Sequence, residues 1–241
     1  MSNREQFIYA FKKTLPILFS YIFLGTAFGI MMNEAGFGLG YSALTSIVVY
    51  TGAFQLALVG LLKGGASVFS IVMTALAMGS RHIFYGFSFL EDFRKDKKRF
   101  PYLVFSLTDE VYALDCALEE PKNSNRQLIE FYMAIMCHLY WITGSIIGSL
   151  AGALIPFDFT GIDFCMTALF ITIFIDQWNN FSKLNKGFYP HIPAVLGGVL
   201  SIVLLILVGP SNFILPSLVI TTAILLIMSK VELTKTEEEE G

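Results

Sequence analysis

Charge is what this chain has least of. Only 15% of its 241 residues are Asp, Glu, Lys or Arg, where an ordinary soluble domain carries about 25%. That is too little to cover a water-facing globule of this length. The basic residues form no patch suited to nucleic acid. The net charge of −3 owes much to Glu237–Glu240, read as a solvated, disordered tail over residues 231–241. Cysteine is also scarce. Cys116, Cys137 and Cys165 are an odd count scattered among apolar residues. That excludes a disulfide scaffold and a metal-ligand spacing, and predicts small buried side chains. Catalytic signatures are missing as well. There is no H-E-x-x-H, G-x-S-x-G or P-loop pattern, and the glycine-rich stretches lack the strand context of a nucleotide fold. The chain is therefore not read as an enzyme, and no cofactor or metal is expected.

What is present is apolar sequence. Hydrophobic residues make up 55% of the chain and mean hydropathy is +0.65. Thr14–Asn33 and Ala35–Leu62 contain no charged residue. Phe131–Phe157 contains only His138, and Phe188–Ser229 only His191. A bilayer core needs roughly 20 apolar residues per helix. One such run could be the buried helix of a soluble protein, but several in one short chain cannot. The last run is long enough for two spans, with Gly209-Pro210-Ser211 as the turn between them. Met1–Lys13 is polar, and no small-x-small cleavage site follows it, so Thr14–Asn33 is expected to be a retained first helix. The expectation is an all-α, polytopic transmembrane bundle formed as one transporter domain by residues 1–230.

Lys and Arg gather on the cytoplasmic side of such proteins. Five of them fall in Arg94–Arg99, three in the N-terminal segment, two in Lys122–Arg126 and two in Lys183–Lys186, while Lys230 and Lys235 follow the last span. The connections near Glu34–Leu39, Pro156–Asp163 and Gly209–Asn212 have none. This predicts a multi-pass protein of the plasma (inner) membrane with both termini cytoplasmic. Helices are expected at Pro16–Asn33, Leu128–Ile155, Phe164–Phe181, Tyr189–Val208 and Phe213–Met228.

The middle resists that scheme. Two apolar blocks, Tyr41–Leu62 and Gly64–Phe89, separate an outside turn from the five positive charges. Two full spans would place those charges outside, so one block is predicted to be broken or re-entrant. Thr51-Gly52 and Gly64-Gly65 are the expected break points. Non-helical backbone at membrane depth survives only where protein or a water cavity covers it, so a break there would itself indicate a site. Phe100–Leu118 contains Asp109, Glu110 and Asp115 and is expected to be a partial insertion or an inward-facing helix.

A candidate internal repeat also stands out. Tyr21-x-x-x-Gly25-x-x-x-Gly29 matches Tyr140-x-x-x-Gly144-x-x-x-Gly148 at a constant offset, and Gln55 falls near the equivalent of Asp176-Gln177. Duplication is common in transporters. The same small-residue spacing also fits plain helix packing.

Ionisable residues inside a membrane are costly and tend to mark function. On a helix, Arg81 and Tyr85 share a face and His82 lies beside it. Arg81 offers a planar fork for a carboxylate, or else it snorkels to the interface. His82 can titrate near neutral pH. Thr108, Asp109 and Glu110 could pair with Arg81 or carry protons, or could mark a cytoplasmic helix. Thr51, Gly52 and Gln55 could form an unwound bend whose N–H groups hold a carboxylate. Alternatively they form a helix contact through Gly52 and a hydrogen-bonded Gln55. Asp176 follows a clean apolar run, and Asp176-Gln177-Trp178 also reads as an interface anchor. His138 reads as buried packing with one hydrogen bond, and His191 as interfacial.

Taken in order, Gly52-Ala-Phe-Gln55, Gly65-Ala-Ser67, Arg81-His82-x-x-Tyr85-Gly86 and Leu107-Thr108-Asp109-Glu110 resemble the AzlC-type branched-chain amino-acid exporters. Tyr140-Trp141-x-x-Gly144 and Gly161-Ile-Asp163-Phe164 are similar to that family too. The resemblance spans roughly residues 8–230 and departs from the pattern at Met78-Gly79-Ser80. It implies a large permease subunit that exports leucine, isoleucine or valine with a small hydrophobic AzlD-like partner. Arg81 or helix N-termini would then hold the substrate carboxylate, and Asp109, Glu110 or Asp176 its ammonium. Proton coupling through His82 or an acid is a further expectation. The alternatives are a channel or facilitator for another small solute, and a non-transporting scaffold or sensor subunit.

Overall fold

The computed structural model describes residues 1–119, 121–154, 161, 164, 167–168, 171–172, 174–175, 178–179, 191–209, 213, 216–217, 219–225 and 227–228. Its elements are all helical. They are α1 (Asn3–Glu34), α2 (Leu39–Val48), α3 (Gly52–Lys63), α4 (Val68–Arg94), α5 (Phe100–Phe105), α6 (Asp109–Cys116), α7 (Arg126–Leu154) and α8 (Ile192–Val208). The chain is an all-helical membrane protein. It divides into two compact units, Met1–Gly60 with Met78–Thr167, and Leu61–Ala77 with Ala168–Gly241.

The two long helices of the first unit, α1 and α7, are each apolar and long enough to cross a bilayer. α1 starts well before the expected Pro16. Ser2 and Glu5 close a capping box, with Ser2 N donating to Glu5 Oε2 (2.6 Å) and Glu5 N donating to Ser2 Oγ (3.3 Å). Such reciprocal capping satisfies two of the amide donors orphaned at a helix start. α1 then continues through Pro16 to Glu34, about 48 Å at 1.5 Å per residue.

α1 and α7 touch along their glycines. A Cβ on Gly25 would lie 3.0 Å from the Trp141 carbonyl oxygen, and one on Gly144 would lie 2.9 Å from the Tyr21 and Ile22 oxygens. On Gly29 and Gly148 it would run into the backbones of Ser145 and Thr26. The two matched Gly-x-x-x-Gly segments therefore pack against each other. Small residues allow this approach, and dispersion contacts along it hold helices together in lipid, where no hydrophobic force does.

Of the two middle blocks, one of which was expected to be broken, Tyr41–Leu62 is. α2 and α3 have 10 and 12 residues, about 15 and 18 Å, each well short of the roughly 30 Å hydrocarbon core. The break sits at Val49–Thr51, where Tyr50 adopts a left-handed φ of 42°. A second turn follows at Gly65, whose φ of 65° suits glycine. α4 bends by 55° between Val68–Ile83 and Tyr85–Arg94. The segment Phe100–Leu118 forms two short helices, α5 and α6, neither long enough to span.

In the second unit, α8 begins after His191 with Pro193 in its first turn, where a missing N–H costs nothing. His191 is buried and stacked on Trp178, with centroids 4.0 Å apart. Cys137 is buried as expected, but Cys116 is exposed. Cys165, Asp176, Gln177, the turn residues Pro210 and Ser211, and the acidic tail lie outside the described residues.

Close glycine packing makes a direct prediction. Gly148→Ala should cost at least the about 1–3 kcal/mol typical of overpacking and lower the melting temperature of the detergent-purified protein. Gly60→Ala adds a methyl that meets nothing within 4 Å and should leave it unchanged. Equal melting of the two variants would mean that the α1 and α7 backbones are not in contact.

Candidate substrate site

Two helix breaks and two long helices meet in one polar junction of the first unit. Gln55, fully buried on α3, is its first hub. Its Oε1 accepts from Thr51 N (3.2 Å) and from Trp141 Nε1 of α7 (3.0 Å). Its Nε2 donates to Ser46 Oγ of α2 at 3.4 Å. Gly52 makes room for the same indole, since a Cβ there would lie 3.0 Å from the ring edge. Both sequence readings of Thr51–Gln55 have a part here: the chain bends at Val49–Thr51, and Gly52 with a hydrogen-bonded Gln55 makes a helix contact. Thr51 N is already engaged.

His138 of α7 bonds to both broken segments. Its Nε2 donates to the Ser46 carbonyl oxygen (3.2 Å), which leaves Nδ1 to accept from the Tyr102 hydroxyl of α5 (3.0 Å). The Tyr50 ring stacks on the imidazole at 4.1 Å. Backbone freed by a break must find partners inside the protein at membrane depth, and His138 supplies one for the Ser46 carbonyl near the end of α2.

The second break carries the acids. Thr108 caps α6, accepting from Val111 N at 3.4 Å. Asp109 and Glu110 occupy the first turn, where the helix dipole favours negative charge. They point to different partners. Glu110 Oε2 accepts from the buried Tyr21 hydroxyl of α1 (2.7 Å), which also lies 2.8 Å from Thr108 Oγ1. Asp109 faces α4. Its Oδ2 is 2.7 Å from Arg81 Nη2, and its Oδ1 accepts from the Tyr85 hydroxyl (2.9 Å). The Arg81 and Asp109 side chains remain 29% and 33% exposed. His82 stands edge-on to Tyr85, 5.7 Å between centroids, and Tyr85 stacks on Tyr112 at 4.2 Å.

The structure thus brings Thr51, Gly52 and Gln55 together around Trp141, and Arg81, His82 and Tyr85 together around Asp109. Thr108 and Glu110 join the two groups through Tyr21, whose ring meets Trp141 edge-on at 5.5 Å. Asp176 lies outside the described residues. Sequence reasoning missed Ser46, Tyr102 and the polar role of Tyr21, and gave His138 one hydrogen bond where it makes two. Tyr21 and Trp141 were flagged by position, since each precedes a packing glycine. Ser46 and Tyr102 carry no signal distinct from their neighbours. Among the described residues, no group of three or more His, Cys, Asp or Glu could hold a metal ion.

Comparison with known proteins identifies the family. The AzlC protein family matches residues 16–155, which contain every residue of the junction. The chain is 34% identical over 234 residues to the branched-chain amino acid transport protein AzlC of Bacillus subtilis, covering 95% of this chain and 89% of that protein. It is 33% identical over 211 residues to an uncharacterized membrane protein of Haemophilus influenzae, covering 87% and 83%. It is 30% identical over 182 residues to the inner membrane protein YgaZ of Escherichia coli, covering 72% and 74%. No solved structure matches the chain.

The Gln55–Trp141 bond can be measured by a double-mutant cycle of Gln55→Leu and Trp141→Phe. Unfolding in detergent should show a coupling of about 0.6–1.7 kcal/mol, the range for hydrogen bonds between membrane helices. Strict additivity would remove the bond from the junction.

Proposed function

Since the chain belongs to the AzlC family, we propose that it is a secondary transporter that exports branched-chain or other hydrophobic amino acids across the inner membrane. The Arg81–Asp109 pair carries the reading. It is an ion pair that is neither fully buried nor fully exposed, set among apolar and aromatic side chains. An amino-acid zwitterion can divide such a pair without net charge change. Its carboxylate takes the Arg81 fork, a geometry suited to two parallel hydrogen bonds. Its ammonium takes Asp109, with Glu110 beside it. The aromatic rings of Tyr85, Tyr112 and Phe89 supply an apolar wall for a branched side chain. The relative named for branched-chain amino acid transport supports that substrate class.

The same reading places both termini in the cytoplasm, because the loops rich in Lys and Arg then lie inside. It also includes a small hydrophobic AzlD-like subunit as partner. Arg81 and Asp109 act here as binding groups, and His82 or an acid of α6 as a proton carrier.

Reconstituted vesicles test this. Labelled leucine should show counterflow that unlabelled isoleucine and valine compete away. Arg81→Ala should raise the half-saturating leucine concentration by roughly tenfold to a hundredfold, the equivalent of about 1.5–3 kcal/mol for a charge-assisted contact. Asp109→Asn should act in the same direction. Export that survives both changes at normal membrane abundance would place the substrate elsewhere. Export from loaded vesicles should also depend on the pH gradient, and unchanged export after its collapse would remove proton coupling.

A further inference from the structure

Two carboxyl side chains are buried at the far end of α6 and the start of α7, away from the substrate junction. Asp115 is 1% exposed and Glu130 is fully buried. Arg126 Nε donates to Glu130 Oε1 (2.8 Å), and its Nη2 donates to the backbone oxygen of Asp115 (3.0 Å). Neither carboxyl oxygen of Asp115 has a hydrogen-bond partner among the described residues. A buried carboxylate in that condition is costly, and among the described residues the nearby guanidinium of Arg126 is already bonded to Glu130.

The surroundings offer no other relief. The ionisable groups facing Asp115 from α7 are Glu130, Arg126 and the Cys137 thiol. On α1, the Tyr9 hydroxyl is committed to the Glu119 carbonyl oxygen (2.9 Å). On α6 itself, Asp109 and Glu110 face Arg81 and Tyr21. Leu118 and Ile129, near Asp115 and Glu130 in sequence, belong to an apolar cluster with Ala10, Met133 and Met136. Arg126 lines an open polar cavity of about 490 Å³ with Asp92, Lys95, Ser124, Asn125 and Gln127.

We propose that Asp115 is a proton site, protonated at rest, which exchanges its proton with water in the cavity beside Arg126 and so couples the pH gradient to transport. On release the carboxyl O–H bond breaks, its electron pair stays on the carboxylate, and the proton passes to a cavity water. Arg126 is then the adjacent counter-charge. Reloading reverses the step. Glu110 lies five residues earlier on α6, about 7.5 Å along the helix axis, so one helix carries acids at the substrate junction and at the aqueous cavity.

This inference rests on the transport reading above, and the tests separate the two. Leucine counterflow at equal pH on both sides reports transport, and uphill leucine movement under an imposed pH gradient reports coupling. Asp115→Asn should keep counterflow and lose uphill movement, while Asp115→Glu, which restores a titratable group, should keep both. Uphill movement retained in Asp115→Asn, or counterflow lost along with it, overturns the proposal. Wild type without counterflow refutes the transport reading instead. The protonation state is read without any variant. In protein made with carbon-13-labelled aspartate, infrared spectra at neutral pH should contain the carbonyl band of a protonated aspartic acid, and its absence overturns the proposal whatever the transport assays give.

Discussion

The contact between α1 and α7 is the constraint on which the rest of the first unit depends. Lipid tails are as apolar as the side chains facing them, so burial alone cannot bring two membrane helices together. Gly25 and Gly29 against Gly144 and Gly148 let the backbones approach until dispersion contacts add up. That approach sets the separation of Tyr21 from Trp141, and those two residues support the broken helices on either side. Widening it would strand the Gln55 amide on one side and the Glu110 carboxyl on the other.

The broken segments follow the rule that backbone polar groups in a membrane must be satisfied within the protein. Each break has its own side-chain cap. Gln55 reaches back to Thr51 N at the first, and Thr108 accepts from Val111 N at the second. Side chains from the unbroken helices complete the work, with His138 bonding to the Ser46 carbonyl oxygen and to Tyr102. The left-handed φ of Tyr50 costs of order 1–3 kcal/mol, and the stack on His138 helps to hold it.

Much of this was legible in the sequence. The charge-free runs give α1 and α7 directly, because span length is set by bilayer thickness. That one middle block is broken followed from counting positive charges, a constraint on topology, while Thr51-Gly52 was one of two glycine-marked break points. Arg81, Asp109 and Gln55 stood out because polar residues are rare in such surroundings. The partners of these residues were less legible. That Asp109 faces Arg81 while Glu110 faces Tyr21 depends on how α6 is rotated, and no pattern in so short a helix encodes that. The Gly-x-x-x-Gly match was read as a candidate duplication or as packing, and the structure shows the two segments packed against each other. The start of α1 was misplaced because Pro16 reads as a helix start, whereas the capping box at Ser2 lies in polar sequence that hydropathy ignores.

Gln55 has a mechanical consequence. By joining α2, the bend at Thr51 and the indole of α7, it welds two short helices and a long one into a stiff block. A carrier must expose its binding groups to each side in turn, and a welded block cannot flex to do so. The give must come where the joints are looser. Among the described residues, the seam between α4 and α6 is such a place, held by the Arg81–Asp109 pair, the Tyr85 hydroxyl on the same carboxylate and the stack of Tyr85 on Tyr112. On the proposed reading, a substrate that splits this pair would also loosen the seam, so that occupancy and movement would become one event.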